Sequence, residues 1–332
     1  MKPFELERAT DRAAAIAAAA ASPTAQQGAS IRFLAGGTTL VDLMKLGVEQ
    51  PERLVDINRL GLEGIEEHRD GGVRIGAAVT NSDLAQHPLI KQRYAALSEA
   101  ILAGASTQLR NVATTAGNLL QRTRCVYFRN IATPCNKREL GSGCPAIEGA
   151  NRMLAILGTS AACIATNPSD TAVAMMAYDA SVHVEGVSAA RSIALKDFYL
   201  LPGDRPDREN VLRPGDLVTH VTLPPPPLGE KSAYLKLRDR ASYEFALVST
   251  AAAVVVSNGK IMSARFALGG VGTRPWRVPE AEGALIGQPA AEESFRRAAD
   301  LVLTNAKPQS QNAFKVELAK RCMLETFKRA WR

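Results

Sequence analysis

Residues 31–45 read Ile-Arg-Phe-Leu-Ala-Gly-Gly-Thr-Thr-Leu-Val-Asp-Leu-Met-Lys. The apolar start favours a strand and the run after Thr39 favours a helix, so residues 35–40 form a loop between them. Adjacent glycines let backbone amides turn inward into an anion-binding nest, and the following helix start adds a positive dipole end. The stretch therefore fits a pyrophosphate, with a plain Gly-Gly turn as the structural alternative. It matches neither G-x-G-x-x-G nor a Walker loop.

Two further stretches place small polar residues at turns. Residues 110–118 read Arg-Asn-Val-Ala-Thr-Thr-Ala-Gly-Asn, and residues 165–170 read Ala-Thr-Asn-Pro-Ser-Asp. Two loops of the nest type could hold the two phosphates of one dinucleotide, and Asp170 could accept hydrogen bonds from a ribose. The structural alternatives are a buried turn in which Asn118 caps a helix, and a helix N-cap at Asp170.

The remaining pattern predicts a mixed α+β chain. Asp11 is the expected N-cap of the first helix, and Asn81 or Ser82 that of a later one. We expect helices at 13–21, 92–104, 170–178, 291–304 and 311–331. We expect strands at 31–35, 53–57, 72–80, 181–186, 218–223, 233–238, 246–256 and 260–268.

A run of four prolines, Pro224 to Pro227, favours an extended linker and marks the main domain boundary. We therefore expect one domain over residues 1–223 and a second over 224–332. Asn258-Gly259 is a hairpin turn signal between two strands of the second domain. This domain is predicted to hold an antiparallel sheet flanked by helices.

Four of the five cysteines lie in a loop-rich stretch, with nine, eight and eighteen residues between them: Cys125, Cys135, Cys144 and Cys163. The C-x2-C pairs of zinc ribbons are absent, so this spacing favours an iron–sulfur cluster over structural zinc. Disulfides would need an oxidising compartment, and no secretion signal is present. Cys322 is predicted to be a buried thiol of the last helix.

The charge pattern around the cysteines supports the same interpretation. Five basic residues and no acidic residue lie between 122 and 138: Arg122, Arg124, Arg129, Lys137 and Arg138. A cluster held by four thiolates is anionic, and nearby cations would stabilise it and raise its reduction potential.

The composition of the 332 residues is that of an ordinary globular protein, with 46% hydrophobic residues and a net charge of +7. Residues 122–138 contribute +5 and residues 315–332 contribute +4, which leaves −2 for the remainder. The charge is thus confined to two segments and does not spread over the chain, which disfavours nucleic-acid binding. The terminal helix could instead dock a partner.

No segment is predicted to span a membrane or to direct secretion. The longest apolar run near the N-terminus, Ala13 to Ala21, has nine residues, whereas a spanning helix needs roughly 20. Three acidic residues balance the three basic residues before it, so the positive region of a signal peptide is missing.

Together these motifs resemble the FAD-binding medium subunit of the molybdenum hydroxylases, the group of xanthine dehydrogenase, carbon monoxide dehydrogenase and aldehyde oxidoreductase. The likeness rests on residues 34–40, 108–118 and 165–170, and it extends to Ala267-Leu-Gly-Gly-Val and the final helices. The resemblance implies an α+β fold: an FAD-binding domain of two α/β subdomains (vanillyl-alcohol-oxidase/PCMH-like), then a C-terminal domain of antiparallel sheet packed with helices.

The cysteine stretch narrows the likeness, because most members of the family lack it. Residues 119–164 resemble the insertion in the flavin subunit of bacterial three-subunit aldehyde oxidoreductases and, more distantly, of 4-hydroxybenzoyl-CoA reductase. That resemblance implies a [4Fe-4S] cluster in addition to FAD. The implied cluster ligands are Cys125, Cys135, Cys144 and Cys163.

The resemblance also implies the residues that bind FAD. Lys236 would lie near the flavin, and Asp170 on the ribose side. Tyr243 and Phe245 could touch the ring, although both suit a core position. Many family members have Gly-Gly where Ala116-Gly117 stands here, so φ at Ala116 must be negative. The residues implied for the pyrophosphate and its surroundings are Leu34, Ala35, Gly36, Gly37, Thr38, Thr39, Leu40, Thr114, Gly117 and Asn118.

By the same resemblance the chain is an electron-transfer subunit. Aldehyde oxidation would occur at the molybdenum cofactor of a large subunit, so no catalytic residue is assigned here. Electrons would pass through [2Fe-2S] centres of a small subunit to FAD and then to an external acceptor. The alternative is a stand-alone FAD-dependent oxidoreductase, which would turn over an aldehyde without partners. Export with a signal-bearing partner would place the chain in the periplasm, and the cytoplasm is the alternative.

Overall fold

Eleven strands form three sheets in the computed structural model, which describes residues 1–331. The strands are β1 (Glu5–Arg8), β2 (Ile31–Leu34), β3 (Arg53–Asp56), β4 (Ile65–Glu67), β5 (Val73–Gly76), β6 (Ser181–Glu185), β7 (Ala190–Ala194), β8 (Leu217–Leu223), β9 (Lys231–Leu237), β10 (Val248–Ser257) and β11 (Lys260–Gly269).

Thirteen helices connect and cover these strands in the same described range. They are α1 (Arg12–Ala20), α2 (Leu40–Lys45), α3 (Asn81–Gln86), α4 (Pro88–Arg93), α5 (Ala95–Ala103), α6 (Thr107–Arg110), α7 (Thr115–Leu119), α8 (Val126–Arg129), α9 (Asp170–Ala177), α10 (Leu195–Phe198), α11 (Pro279–Gly283), α12 (Glu292–Leu303) and α13 (Phe314–Trp331). None of them, within residues 1–331, combines the length and apolarity that crossing a membrane takes.

The three sheets differ in strand direction. The first is parallel, in the order β1-β3-β2, and α1 packs against it. The second is antiparallel, in the order β4-β5-β8-β6-β7, and shares a core with α3, α5 and α9. The third is the antiparallel sheet β11-β10-β9, covered by α12 and α13. The expected fold class is confirmed: two α/β subdomains precede an antiparallel sheet packed with helices.

Strand β10 is buried on both faces and joins the two largest cores. Ala251 and Ala253 belong to the core that contains α5 and α9, whereas Ala252 and Val254 belong to the core beneath α12 and α13. Successive side chains of a strand point to opposite faces, so a continuous apolar run suits a strand with a core on each side. The third sheet therefore lies between helices from both halves of the chain.

Most predicted elements are confirmed, and the differences lie at their ends. Asp11 caps α1 as expected, its carboxylate accepting from the amide of Ala14. Thr80, and neither Asn81 nor Ser82, caps α3. The strand expected over 72–80 ends at Gly76, because from Ala78 on the backbone bonds to Leu62 and to Thr115 instead of continuing the sheet.

The helix expected over 92–104 is interrupted at Tyr94, where φ is −135° and ψ is 50°. The ring of Tyr94 is fully buried and stands edge-on to Tyr178, with ring centroids 5.2 Å apart. Its hydroxyl donates to the carbonyl oxygen of Pro224 at 2.8 Å. Tertiary packing thus decides where α4 ends and α5 begins.

The basic residues of α13 are largely paired with acidic neighbours. Arg321 and Arg329 bond to glutamates one turn earlier on the same helix. Lys320 and Lys328 bond to Asp300 and Glu292 of α12. Lys320 and Lys328 therefore hold α13 to α12, and these four paired cations are not a free cationic surface.

Two histidines stack across β6 and β8. The rings of His183 and His220 are nearly parallel, with centroids 4.1 Å apart, and each ring bonds to a threonine hydroxyl at 2.9 Å. Burial, followed by the neighbouring His183, lowers the pKa of His220 to about 4. The folded protein thus resists protonation of this pair.

We predict that acid destabilises the fold partly through His220. The unfolded chain binds a proton near the ordinary pKa of 6.5 and the folded chain only near 4, so this contribution to stability is lost as the pH falls through that window. Urea unfolding at about pH 7 and about pH 4.5 should show a smaller loss of stability for His220→Gln than for wild type. His68→Gln, at an exposed histidine, is the control. An unchanged pH dependence in His220→Gln would contradict the assignment.

Candidate functional site

The first glycine loop lines a large groove between the first two sheets. The groove has about 1340 Å³ of empty space, part of it open to solvent. Its lining includes most of the residues implied by the resemblance: Ala35, Gly36, Gly37, Thr38, Thr39, Leu40, Thr114 and Gly117. Leu34 ends β2 and lies beneath Gly37. Asn118, Asp170 and Lys236 lie outside the groove lining.

The two glycine loops touch backbone to backbone at Gly36. A Cβ atom added to Gly36 would lie 1.9 Å from the carbonyl oxygen of Val112, so only glycine fits there. Gly37 has a φ of +70°, a conformation that L side chains rarely adopt. Both glycines are therefore required by geometry, and the two loops meet with no side chain between them at Gly36.

The hydroxyls of the groove differ in their availability. Thr39 precedes α2 but makes no capping bond with its side chain. Thr114 caps α7 by accepting from the amide of Gly117 at 3.3 Å. Ala116 lies inside α7 with φ outside the left-handed region, as its methyl group requires. The groove thus offers to a bound anion backbone amides and the hydroxyls of Thr38 and Thr39, neither of which is hydrogen-bonded within residues 1–331.

The third motif is joined to the second by a side-chain bond. The Ser169 hydroxyl donates to Asn118 Oδ1 at 2.7 Å and also caps α9. The predicted alternatives for both positions are therefore wrong: Asn118 lies within α7, and Asp170 is the first residue of α9 while Ser169 is its cap. The three motifs expected to act together do meet in space.

Asp170 forms a buried ion pair with Lys236. The Lys236 ammonium lies 2.7 Å from Asp170 Oδ2, and the Tyr234 hydroxyl donates to Oδ1 at 2.6 Å. Burial, followed by the Asp170 charge, raises the pKa of Tyr234 well above its ordinary value, so the phenol stays a donor. The pair links α9 to β9 of the third sheet. Sequence patterns gave no sign of Tyr234.

A second, smaller cavity adjoins this ion pair and is lined by Asp170 and Phe245. The Phe245 ring lies beneath the Arg124 guanidinium at 4.7 Å. Tyr243 is 55% exposed and has a φ of 53°, so the expectation of a core position is wrong for this residue. The loop between β9 and β10 thus presents one aromatic ring inward and one outward.

The four cysteines of the loop-rich stretch line one cavity with about 300 Å³ of empty space. All four are free thiols, as is Cys322. Burial raises the pKa of Cys125 to about 11 and raises the pKa values of Cys144 and Cys163. Within the described residues, no three Cys, His, Asp or Glu side chains converge as a single metal ion requires.

Most of the basic residues around the cysteines are paired with acids distant in sequence. Arg124 and Arg129 bond to Asp42 at 3.1 and 2.8 Å. Arg138 donates to backbone carbonyls of its own loop. The local absence of acidic residues between 122 and 138 therefore does not mean that these charges are unbalanced.

Two models of known protein families match consecutive stretches of this chain. Residues 2–226 match the model for the FAD-binding domain in molybdopterin dehydrogenase, and residues 232–332 match that for the CO dehydrogenase flavoprotein C-terminal domain. The chain belongs to the FAD-binding medium subunits of the molybdenum hydroxylases. It is thus an oxidoreductase subunit of the type that binds FAD.

Individual relatives cover nearly the whole of this medium subunit. It is 51% identical to the aldehyde oxidoreductase FAD-binding subunit PaoB of Escherichia coli K12, over 97% of this chain and 96% of that one. It is 26% identical to the carbon monoxide dehydrogenase medium chain of Afipia carboxidovorans, over 85% of this chain and 81% of that one. A crystal structure of Cu,Mo-CO dehydrogenase shares the fold, with a TM-score of 0.78 over 99% of both chains at 24% identity.

We predict that Gly36→Ala abolishes tight FAD binding. The added Cβ cannot fit against the Val112 carbonyl, so the two loops must separate. We expect affinity to fall by more than about tenfold, a cost above about 1.4 kcal/mol. The ratio of flavin to protein absorbance in purified protein measures the loss.

The matched control is Gly283→Ala in α11, where the same methyl group meets open space. It should retain the wild-type flavin content. Full flavin content in Gly36→Ala would show that the loop contact does not shape the groove.

Proposed function

We propose that this chain is the electron-transfer flavoprotein subunit of a molybdenum-dependent aldehyde oxidoreductase. The observation that carries the proposal is the meeting of the three expected cofactor motifs beside a four-thiol cavity in one chain. The 51% identity to the aldehyde oxidoreductase subunit of E. coli supports the substrate class. Electrons would enter from [2Fe-2S] centres of a small partner subunit and leave through FAD to an external acceptor.

The FAD pyrophosphate is assigned to the first glycine loop, residues 34–40, with Thr114, Gly117 and Asn118 along the second. The groove fits this anion because the glycine loop contributes to its lining and because Nη2 of the buried Arg122 has no hydrogen-bond partner within residues 1–331. Bound FAD would supply the electron-carrying chemistry. Asp170 and Lys236 fix α9 against β9, and we assign this pair to the ribose and flavin side of the site.

A [4Fe-4S] cluster is assigned to Cys125, Cys135, Cys144 and Cys163. Four ligands around zinc lie only about 3.8 Å apart, given Zn–S distances of about 2.3 Å. In a cubane cluster each thiolate binds a different iron, so the sulfurs lie around a larger centre. The donor set and the shared cavity fit the cluster better than a single ion.

We propose three further features of the assembled enzyme. The partners are a large molybdenum-cofactor subunit, where the aldehyde is oxidised, and a small [2Fe-2S] subunit. The chain divides into an FAD-binding domain over 1–223, with the iron–sulfur insertion at 119–164, and a C-terminal domain over 224–332. Co-export with a signal-bearing partner would place it in the periplasm, which cell fractionation tests directly.

The proposed role predicts that aldehyde reduces the flavin only in the complex. Anaerobic addition of an aldehyde should bleach the flavin absorbance when both partner subunits are present and leave the isolated chain unchanged. Dithionite, which reduces flavin directly, is the control for a competent cofactor. Bleaching of the isolated chain by aldehyde would contradict the proposal and favour a stand-alone oxidoreductase.

The cluster assignment predicts that Cys135→Ser loses most of its iron and keeps FAD. We expect less than about half of the wild-type iron, because one of four ligands is replaced by a weaker one. Cys322→Ser replaces a buried thiol of α13 that lies outside the cavity, and it should retain both cofactors. Equal iron contents in Cys135→Ser and Cys322→Ser would contradict the assignment of Cys135 as a cluster ligand.

A further inference from the structure

A continuous series of ion pairs links five side chains that lie between positions 32 and 209 of the sequence. Arg32 bonds to Glu49 at 2.9 Å, and Glu49 bonds to Arg122 at 2.5 Å. Arg122 continues to Glu209 at 2.5 Å, and Lys137 lies 3.1 Å from the other oxygen of Glu209. Five charges thus alternate in sign, with positive charges at both ends and an excess of one.

The chain of ion pairs ends at two different sites. Arg32, Glu49, Arg122 and Glu209 all line the groove assigned to FAD. Lys137 lines the cysteine cavity together with all four thiols. Glu209 and Lys137 meet again beside Cys163, in a small cavity between the two sites. These five side chains therefore bridge the candidate cofactor sites physically.

The bridge is largely shielded from water. The side chains of Arg122 and Lys137 are each 9% exposed and that of Glu49 is 2% exposed, whereas those of Arg32 and Glu209 are 19% and 23% exposed. Charges in such surroundings interact more strongly and are screened less by salt than charges at the surface. Burial would raise the pKa of Glu209, but Arg122 and Lys137 outweigh it and hold the value at about 2. The carboxylate is thus ionised at neutral pH.

We propose that this ion-pair bridge sets the reduction potentials of the two cofactors together. Glu209 is the shared positioning residue, because it faces both the groove and the cavity beside Cys163. Lys137 acts mainly on the potential of the cluster, because it lines the cysteine cavity. The inference rests on the proposed function, since it needs FAD and the cluster in one chain. A negative charge disfavours adding an electron nearby, and a positive charge favours it.

We predict that two substitutions shift the midpoint potential of the cluster in opposite directions. Glu209→Gln removes the shared negative charge and should raise the midpoint potentials of both the flavin and the cluster. Lys137→Met removes a positive charge and should lower the potential of the cluster. Anaerobic redox titration, followed by visible absorbance for the flavin and by EPR for the cluster, measures both. General damage to the fold would not produce opposite shifts.

Glu139→Gln is the matched control. It makes the same change of charge as Glu209→Gln, but at an exposed position in the cysteine stretch, four residues from Cys135. It should leave both potentials at the wild-type values. Shifts in Glu139→Gln as large as those in Glu209→Gln would overturn the role of the buried bridge.

Iron and flavin contents are measured before each titration, so that a failure of the proposed function can be distinguished from a failure of the ion-pair bridge. Unchanged potentials in Glu209→Gln with both cofactors bound would overturn the bridge and leave the proposed function intact. If Glu209→Gln loses a cofactor, the cluster potential of Lys137→Met becomes the test. A potential in Lys137→Met that is not below the wild-type value would overturn the inference. Wild-type protein without iron would contradict the proposed function and the bridge with it.

Discussion

The close approach of two backbones at Gly36 is the constraint on which the candidate site depends. The first glycine loop has no room for a side chain against the Val112 carbonyl, so the two loops share one wall of the groove. The second loop is fixed to the third motif through Asn118 and Ser169, and Asp170 then reaches Lys236 on β9. A single line of contacts therefore runs from the groove to the third sheet.

These contacts connect the residues before and after the proline run into one packed structure. Strand β10 packs against helices of both halves, and the Asp170–Lys236 pair crosses between them. Breaking one partner of a buried ion pair leaves the other charge uncompensated, a loss of about 3–5 kcal/mol. The position of α9, and with it the third motif, is consequently held by the C-terminal sheet.

Much of the fold and part of the site could be predicted from the sequence. Hydrophobic periodicity gave the long elements, such as α12, α13 and β10, and the glycine loops were visible as local patterns. Partners distant in sequence were not visible. The stretch 122–138 lacks acidic residues, yet Asp42, Glu49 and Glu209 of other segments pair with four of its five cations. Tyr234 was missed for the same reason, because its role exists only through contact with Asp170.

The central claim is that one chain holds both a flavin and a four-iron cluster. Elemental and sulfide analysis of the wild-type protein, purified without oxygen, tests it most directly, together with flavin released by denaturation. We expect about four irons, about four sulfides and about one FAD per chain. Zinc in place of iron, or FAD with no iron at all, would contradict it.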